Sequence, residues 1–327
     1  MRVQASAEAG KEDYVFQVAL NRGEKNVFCS LSSMCIGIHD ISDELSQLSC
    51  IKAHNGRINC IQTSEVTPHT LISGADDEYV KYWDIRTPCV EPALMIKCKG
   101  EVTEASLGVN DLIIATATGT NVSFYDTRYL RYSFEGSKKS NNSNSVETNC
   151  VGEYGDVHTD TIYALKFHPT RRTELLTAGE DGLVCYYDTN VVSSADSVLS
   201  VLNVECDVRT IGFFGPELEG VYCLSTVETA SFWHLRSALR VVNLPGVRDT
   251  FQIDYLVDCI SSGSTGGVQM LAGTTDGKGI VLDIHPDKSQ KLFELDGGHE
   301  DIIRCAAPLE CGGLITGGED SKLCYFH

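Results

Sequence analysis

An all-β chain built from seven repeats is what this sequence predicts, and three observations carry that reading. First, residues 71–84 read as a short strand, a polar turn around Asp77 and a second, alternating strand that ends on Trp83 and Asp84. The same order returns at 175–188, 271–283 and 314–327, with weaker copies at 27–40, 113–126 and 221–234. Second, the last residues of the copies fall at 40, 84, 126, 188, 234, 283 and 327, so the intervals are 44, 42, 62, 46, 49 and 44. Third, apolar residues inside each copy alternate with the period of two that belongs to a half-buried strand, which leaves little room for helices. A period near 45 residues marks an array whose units bury their apolar faces on their neighbours.

The elements follow in order. Copies one and two, ending at Asp40 and Asp84, keep the regular spacing, as does copy three, ending at Asp126. The single long interval, between Asp126 and Asp188, contains a stretch at about 135–149 rich in Ser, Asn and Lys, which reads as a solvated loop insertion. Copies four to seven return to the regular spacing.

Two stretches carry a family resemblance. Residues 157–169, from Val157-His158 to His168-Pro169 and running on to Tyr187-Asp188, form one; Gly298-His299-Glu300-Asp301, running on to Gly318-Glu319-Asp320, form the other. With the period, they resemble the WD40-repeat family along nearly the whole chain. The resemblance implies one domain over residues 1–327: a seven-bladed WD40 β-propeller, one ring of four-stranded antiparallel blades. A ring has to close, and the seventh copy stops on its third strand. The expected outer strand of that blade is the segment from Met1 to about Ser6, ahead of a first blade opening near Tyr14, paired alongside Leu323 to Phe326.

Composition narrows the function classes. With 45 acidic against 26 basic residues in 327, the formal net charge is −19, and the Lys and Arg pairs are scattered, which argues against a nucleic-acid partner and favours a basic protein partner. No run of about 18 apolar residues spans a membrane, and the first ten residues lack the apolar stretch of a signal peptide. The 14 cysteines are dispersed without any Cys-x-x-Cys pair, so they read as small buried hydrophobes in a reducing cytoplasm or nucleus. Neither a phosphate-binding loop nor metal-ligand spacing is visible, and no cofactor or metal is expected. The expected state is a monomer.

The repeats supply residue sets that look catalytic. Copy two offers His54, Ser73, Asp77 and Trp83; copy four, His158, Thr177, Asp181 and Tyr187; copy seven, His299, Thr316, Asp320 and, in place of a donor aromatic, Phe326. A hydroxyl, imidazole and carboxylate suit nucleophilic catalysis when the hydroxyl faces a cleft. The resemblance implies instead a buried network, with Asp accepting from His and the hydroxyl linking His to the aromatic. Three copies point to architecture, since catalysis needs one site. A channel-mouth enzyme with one residue per blade leaves no local motif, so it stays open as the reading from another class.

Binding is expected on the faces of the ring, on the premise that a closed propeller leaves no sheet edge to bind with. One face carries Arg57, Asp160, Arg209, Arg248, Glu300 and Asp301 just ahead of inner strands, and mixed signs there suit a peptide or protein segment held by charge pairing. The opposite face carries Asp84-Ile85-Arg86 and Asp126-Thr127-Arg128. These resemble the paired Asp-x-Arg boxes of propellers that act as substrate receptors of cullin-RING ubiquitin ligases through an adaptor. The alternative is that Arg86 and Arg128 pair back onto their own Asp. Trp233-His234-Leu235-Arg236 does not extend the series, because His replaces Asp.

Overall fold

The computed structural model describes residues 1–21, 23, 25–64, 66–86, 91–108, 110–128, 150–155, 158–261, 268–286 and 288–327, with the Ser261 side chain left aside. The polar insertion expected at 135–149 lies outside the described residues.

Period-2 segments rich in Val, Ile, Tyr and Phe fold as strands because each can bury one or both faces of a pleated ribbon. Blade two shows the unit: β6 (Ile58–Thr63), β7 (Thr70–Ala75), β8 (Tyr79–Asp84) and β9 (Leu94–Lys97) pair antiparallel in that order. Seven such four-stranded sheets make the ring. The first strand of each lies innermost, as β2 (Val15–Leu20), β6, β10 (Glu104–Gly108), β14 (Ile162–Phe167), β18 (Val208–Phe214), β22 (Tyr255–Ser261) and β26 (Ile303–Pro308). Among the described residues two short helices, α1 (Ser194–Ser197) and α2 (Val247–Phe251), sit in connections.

The ring closes through the N-terminus. β1 (Val3–Glu8) pairs with β28 (Lys322–Phe326), matching Val3 to Phe326 and Glu8 to Lys322, so the closing strand runs two residues beyond the expected Ser6. It slides into place because alternating small residues, Ala5 and Ala7, pack on the cluster formed by Leu309, Ile315 and Leu323.

The apolar core is divided among the seven junctions between neighbouring blades. Trp83 packs with Ile36 and Ile51 of blade one, and Tyr186 with Ile211 and Trp233 of blade five. Each fully buried large side chain stabilises by roughly 1.5–3 kcal/mol, so every blade depends on both of its neighbours. One expectation needs correcting. Closure joins the blades but leaves the outer edges of the four-stranded sheets outside any ladder, apart from one parallel bridge between Arg2 and Asp296, because the sheets otherwise touch mainly through side chains.

Candidate functional site: the channel mouth

We call upper the face that carries the turns between second and third strands and the connections entering the inner strands. The Asp of each full repeat is placed there by an αL residue that follows it: Glu78 (φ 67°), Gly182 (φ 73°) and Ser321 (φ 64°). That turn lets one carboxylate serve several donors. Asp181 accepts from His158 Nδ1 at 3.0 Å, from the Thr159 amide at 3.0 Å and from the Leu183 amide at 3.0 Å. Asp77 does the same with His54, Asn55 and Tyr79, and Asp320 with His299, Glu300 and Lys322.

The other imidazole nitrogen reaches the hydroxyl: His54 Nε2 to Ser73 Oγ at 2.7 Å, His158 to Thr177 at 2.6 Å and His299 to Thr316 at 2.7 Å. The fourth member varies. Trp83 Nε1 donates to Ser73 Oγ at 2.9 Å. Thr177 Oγ1 and the Tyr187 hydroxyl are 3.5 Å apart, whereas Phe326 has no donor to offer. Burial pushes the His54 and His158 pKa down, against the pull of Asp77 and Asp181. Ser73, Thr177 and Thr316 are 0% exposed, so these hydroxyls are closed off from solvent inside the blades.

The channel through the ring has a volume of about 1240 Å³, larger than the roughly 300–1,000 Å³ of ordinary ligand clefts. Its upper mouth is built by a recurrent backbone device. In six inner strands the register slips by one residue near the start, between Val15 and Gln17, Ile58 and Cys60, Ile162 and Ala164, Val208 and Thr210, Leu256 and Asp258, and Ile303 and Cys305. A bulge re-aims the extra side chain. The extra residues are Phe16, Asn59, Tyr163, Arg209, Val257 and Arg304, and all six line the channel.

Charges at the mouth are held as follows. Arg57 lies over the Phe16 ring, 4.8 Å from its centroid. Asn59 donates to Asp76 at 2.6 Å and Tyr163 to Glu180 at 3.1 Å. Arg304 Nε donates to Glu319 at 2.6 Å. Of the six face residues singled out in the sequence, Arg57 and Arg209 reach the channel; Asp160, Arg248, Glu300 and Asp301 do not line it. Asp160 and Asp301 instead accept the amides of Thr161 and Ile302, Glu300 holds Lys322 Nζ at 3.0 Å, and Arg248 is exposed on α2. Tyr163 and Arg304 were missed because a bulge does not show in hydrophobic alternation. Among the described residues, no group of three His, Cys, Asp or Glu could hold a metal ion.

On the lower face the two Asp-x-Arg boxes share one geometry. Arg86 Nε donates to Asp84 at 2.9 Å and its Nη2 at 2.5 Å; Arg128 makes the corresponding bonds to Asp126 at 3.0 and 2.6 Å. The side chains of Arg86 and Arg128 remain 66% and 63% exposed, so each guanidinium pairs back onto its own carboxylate and still faces solvent. The bonds to Arg86 hold the Asp84 carboxyl down at about 2. Arg236 reaches across to Glu174 of blade four at 3.0 Å.

Comparison with known proteins agrees with this architecture. The family model described as WD domain, G-beta repeat matches residues 45–84 and 148–188. The chain is 28% identical over 300 residues to WD repeat-containing protein 89 homolog of Dictyostelium discoideum, covering 89% of this chain and 77% of that one. It is 27% identical over 335 residues to WD repeat-containing protein GTS1 of Arabidopsis thaliana, covering 95% and 80%. A chain in the crystal structure of the mitotic checkpoint complex superposes with a TM-score of 0.76 at 12% identity, covering 100% of this chain and 91% of that one. The chain is thus similar to WD-repeat proteins along most of its length, and two of its repeats match the family model itself.

Proposed function

We propose that the protein is a non-catalytic interaction platform that holds a protein segment across the upper mouth of its channel. The ring of six bulge residues carries this reading. It presents a tyrosine, two arginines and a stacked Arg57–Phe16 pair beside the carboxylates Asp76, Glu180 and Glu319. A rigid ring of that kind suits charge-paired recognition with little ordering cost. The acidic excess favours a basic segment, since long-range attraction speeds encounter. A reducing cytoplasm or nucleus is part of the proposal, supported by the absence of disulfides among the described cysteines. The buried Ser and Thr hydroxyls support the non-catalytic reading.

Affinity purification from native lysate with the wild type and with Arg57→Glu plus Tyr163→Ala tests it. A partner held by the wild type and lost with the double variant is the expected outcome. Recovery of that partner by both proteins, or of none by either, overturns the platform reading at this mouth. A second reading, a cullin-RING ligase receptor, is favoured by the matched, solvent-facing Asp-x-Arg pairs in adjacent blades. A ligase adaptor that co-purifies equally well after Arg86→Ala plus Arg128→Ala ends that reading.

A further inference from the structure

The bulges at the mouth are not equivalent. In blades two, four and seven the extra residue donates to an acid at the end of the second strand: Asn59 to Asp76, Tyr163 to Glu180 and Arg304 to Glu319. Blade one lacks this pair. Val15 faces Leu31 as Ile58 faces Ala75, so Ser32 stands at the place of Asp76. Ser32 has no carboxylate, and its hydroxyl donates to Asp13 at 2.9 Å. The extra residue of blade one is Phe16, which has no donor. An aromatic ring thus occupies the position where three other blades hold a hydrogen-bonded acid.

Arg57 reaches that ring from blade two. Its guanidinium carbon lies 4.8 Å from the Phe16 centroid, and the Tyr14 ring meets Phe16 edge-on with centroids 6.4 Å apart. Tyr14 and Arg57 are exposed, and all three side chains line the channel. Among the described residues the Arg57 side chain makes neither a hydrogen bond nor an ion pair. A ring contact holds a guanidinium without consuming any of its N–H donors. Asp76, whose amide donates to the Arg57 carbonyl at 3.0 Å, turns its carboxylate to Asn59 instead. The other two arginines of the mouth already have acceptors, the Leu256 carbonyl for Arg209 and Glu319 for Arg304.

We propose that Tyr14, Phe16 and Arg57 anchor an acidic residue with an apolar neighbour in the partner segment. The inference rests on the platform reading and deepens it. A carboxylate of the partner accepts from the free donors of Arg57 in charge-assisted bonds, and the apolar neighbour covers the exposed Tyr14 ring. Exposed aromatics beside an arginine have the composition of binding hot spots. The rest of the segment is basic, so a single acid at Arg57 fixes which way round the segment lies across the mouth.

A phage-displayed library of random dodecapeptides is the probe, selected on the intact chain. Recovered peptides are then titrated against the wild type, Arg57→Gln and Tyr163→Ala. Peptides weakened by Tyr163→Ala should carry an Asp or Glu beside an apolar residue, and Arg57→Gln should weaken them by about tenfold or more. Replacing that acid by Lys should weaken binding to the wild type and strengthen binding to Arg57→Glu, a gain that loss of fold cannot produce. Peptides that need Tyr163 but bind Arg57→Gln as tightly as the wild type, or that carry no acid, overturn the anchor and leave the platform reading standing. A selection that yields no peptide sensitive to either substitution overturns the platform reading and the anchor with it.

Discussion

Asp181 shows how much a single side chain does in this ring. Its carboxylate orders an imidazole, the amide that follows it and the amide that restarts the next strand. Removing it leaves His158 buried with an unanswered N–H. Asp181→Ala should therefore lower stability by about 1–3 kcal/mol, read as a shift in urea midpoint; an unchanged midpoint would contradict the strut role. Glu104 gives the opposite sign. Its folded pKa, about 7, lies above the ordinary carboxylate value of 4.5. The folded state therefore keeps a proton that the unfolded state releases. This residue's contribution is full below pH 4.5 and is lost as pH rises through 7. Glu104→Gln should gain about 1–2 kcal/mol over the wild type at pH 8 and nothing at pH 4. Equal effects at both pH values would exclude the titration as the cause.

Strands carry the closure. β1 and β28 come from opposite ends of the sequence, and their pairing completes the seventh blade. Residues 1–8 supply five paired positions on β28 and an Ala5–Ala7 face for the blade-seven to blade-one cluster. Deleting residues 1–8 should lower the melting temperature by about 5 °C or more, since several kcal/mol of pairing and packing are lost and each is worth about 2–4 °C even in a domain of roughly 150–250 residues. It should also expose the edge of β28 to pairing between molecules, visible as association by light scattering. A truncated chain that melts like the wild type and stays monodisperse would show that closure rests on packing alone. The inner strands add the second lesson at this scale. Six of seven carry the same bulge, and in blade three, where β10 lacks it, Thr103 instead hydrogen-bonds its hydroxyl to the Ile162 carbonyl at 2.6 Å.

At the scale of the molecule, seven junctions share the core, so no blade is autonomous and local losses spread to both neighbours. The net charge of −19 is distributed over turns and rims, while the channel mixes signs: Arg57, Lys166, Arg209 and Arg304 face Asp76, Glu104, Asp258 and Glu319. The two faces differ in kind. The upper mouth is a ring of re-aimed side chains, and the lower face presents Arg86 and Arg128 already bound to their own Asp. A basic partner of the upper mouth should therefore dissociate as salt rises, because charge-paired contacts at a solvated rim are screened; a salt-independent affinity would argue for apolar contact instead.

Much of this was legible in the residues. Repeat spacing and alternation are local properties, so seven copies and the membership of His54, His158 and His299 in matching sets follow from the sequence alone, while the ring is what the family resemblance implies. The alternative that Arg86 and Arg128 pair back onto their own Asp was also readable, since partners two residues apart need no long-range geometry. The mouth was not. Tyr163 and Arg304 look like ordinary strand residues, and Arg209 stands out only for its place just ahead of an inner strand. Whether such a side chain faces a neighbouring blade or the channel depends on a one-residue slip against the partner strand, and a slip exchanges the two faces of a strand. That choice is made by packing between sheets, which only the tertiary structure holds.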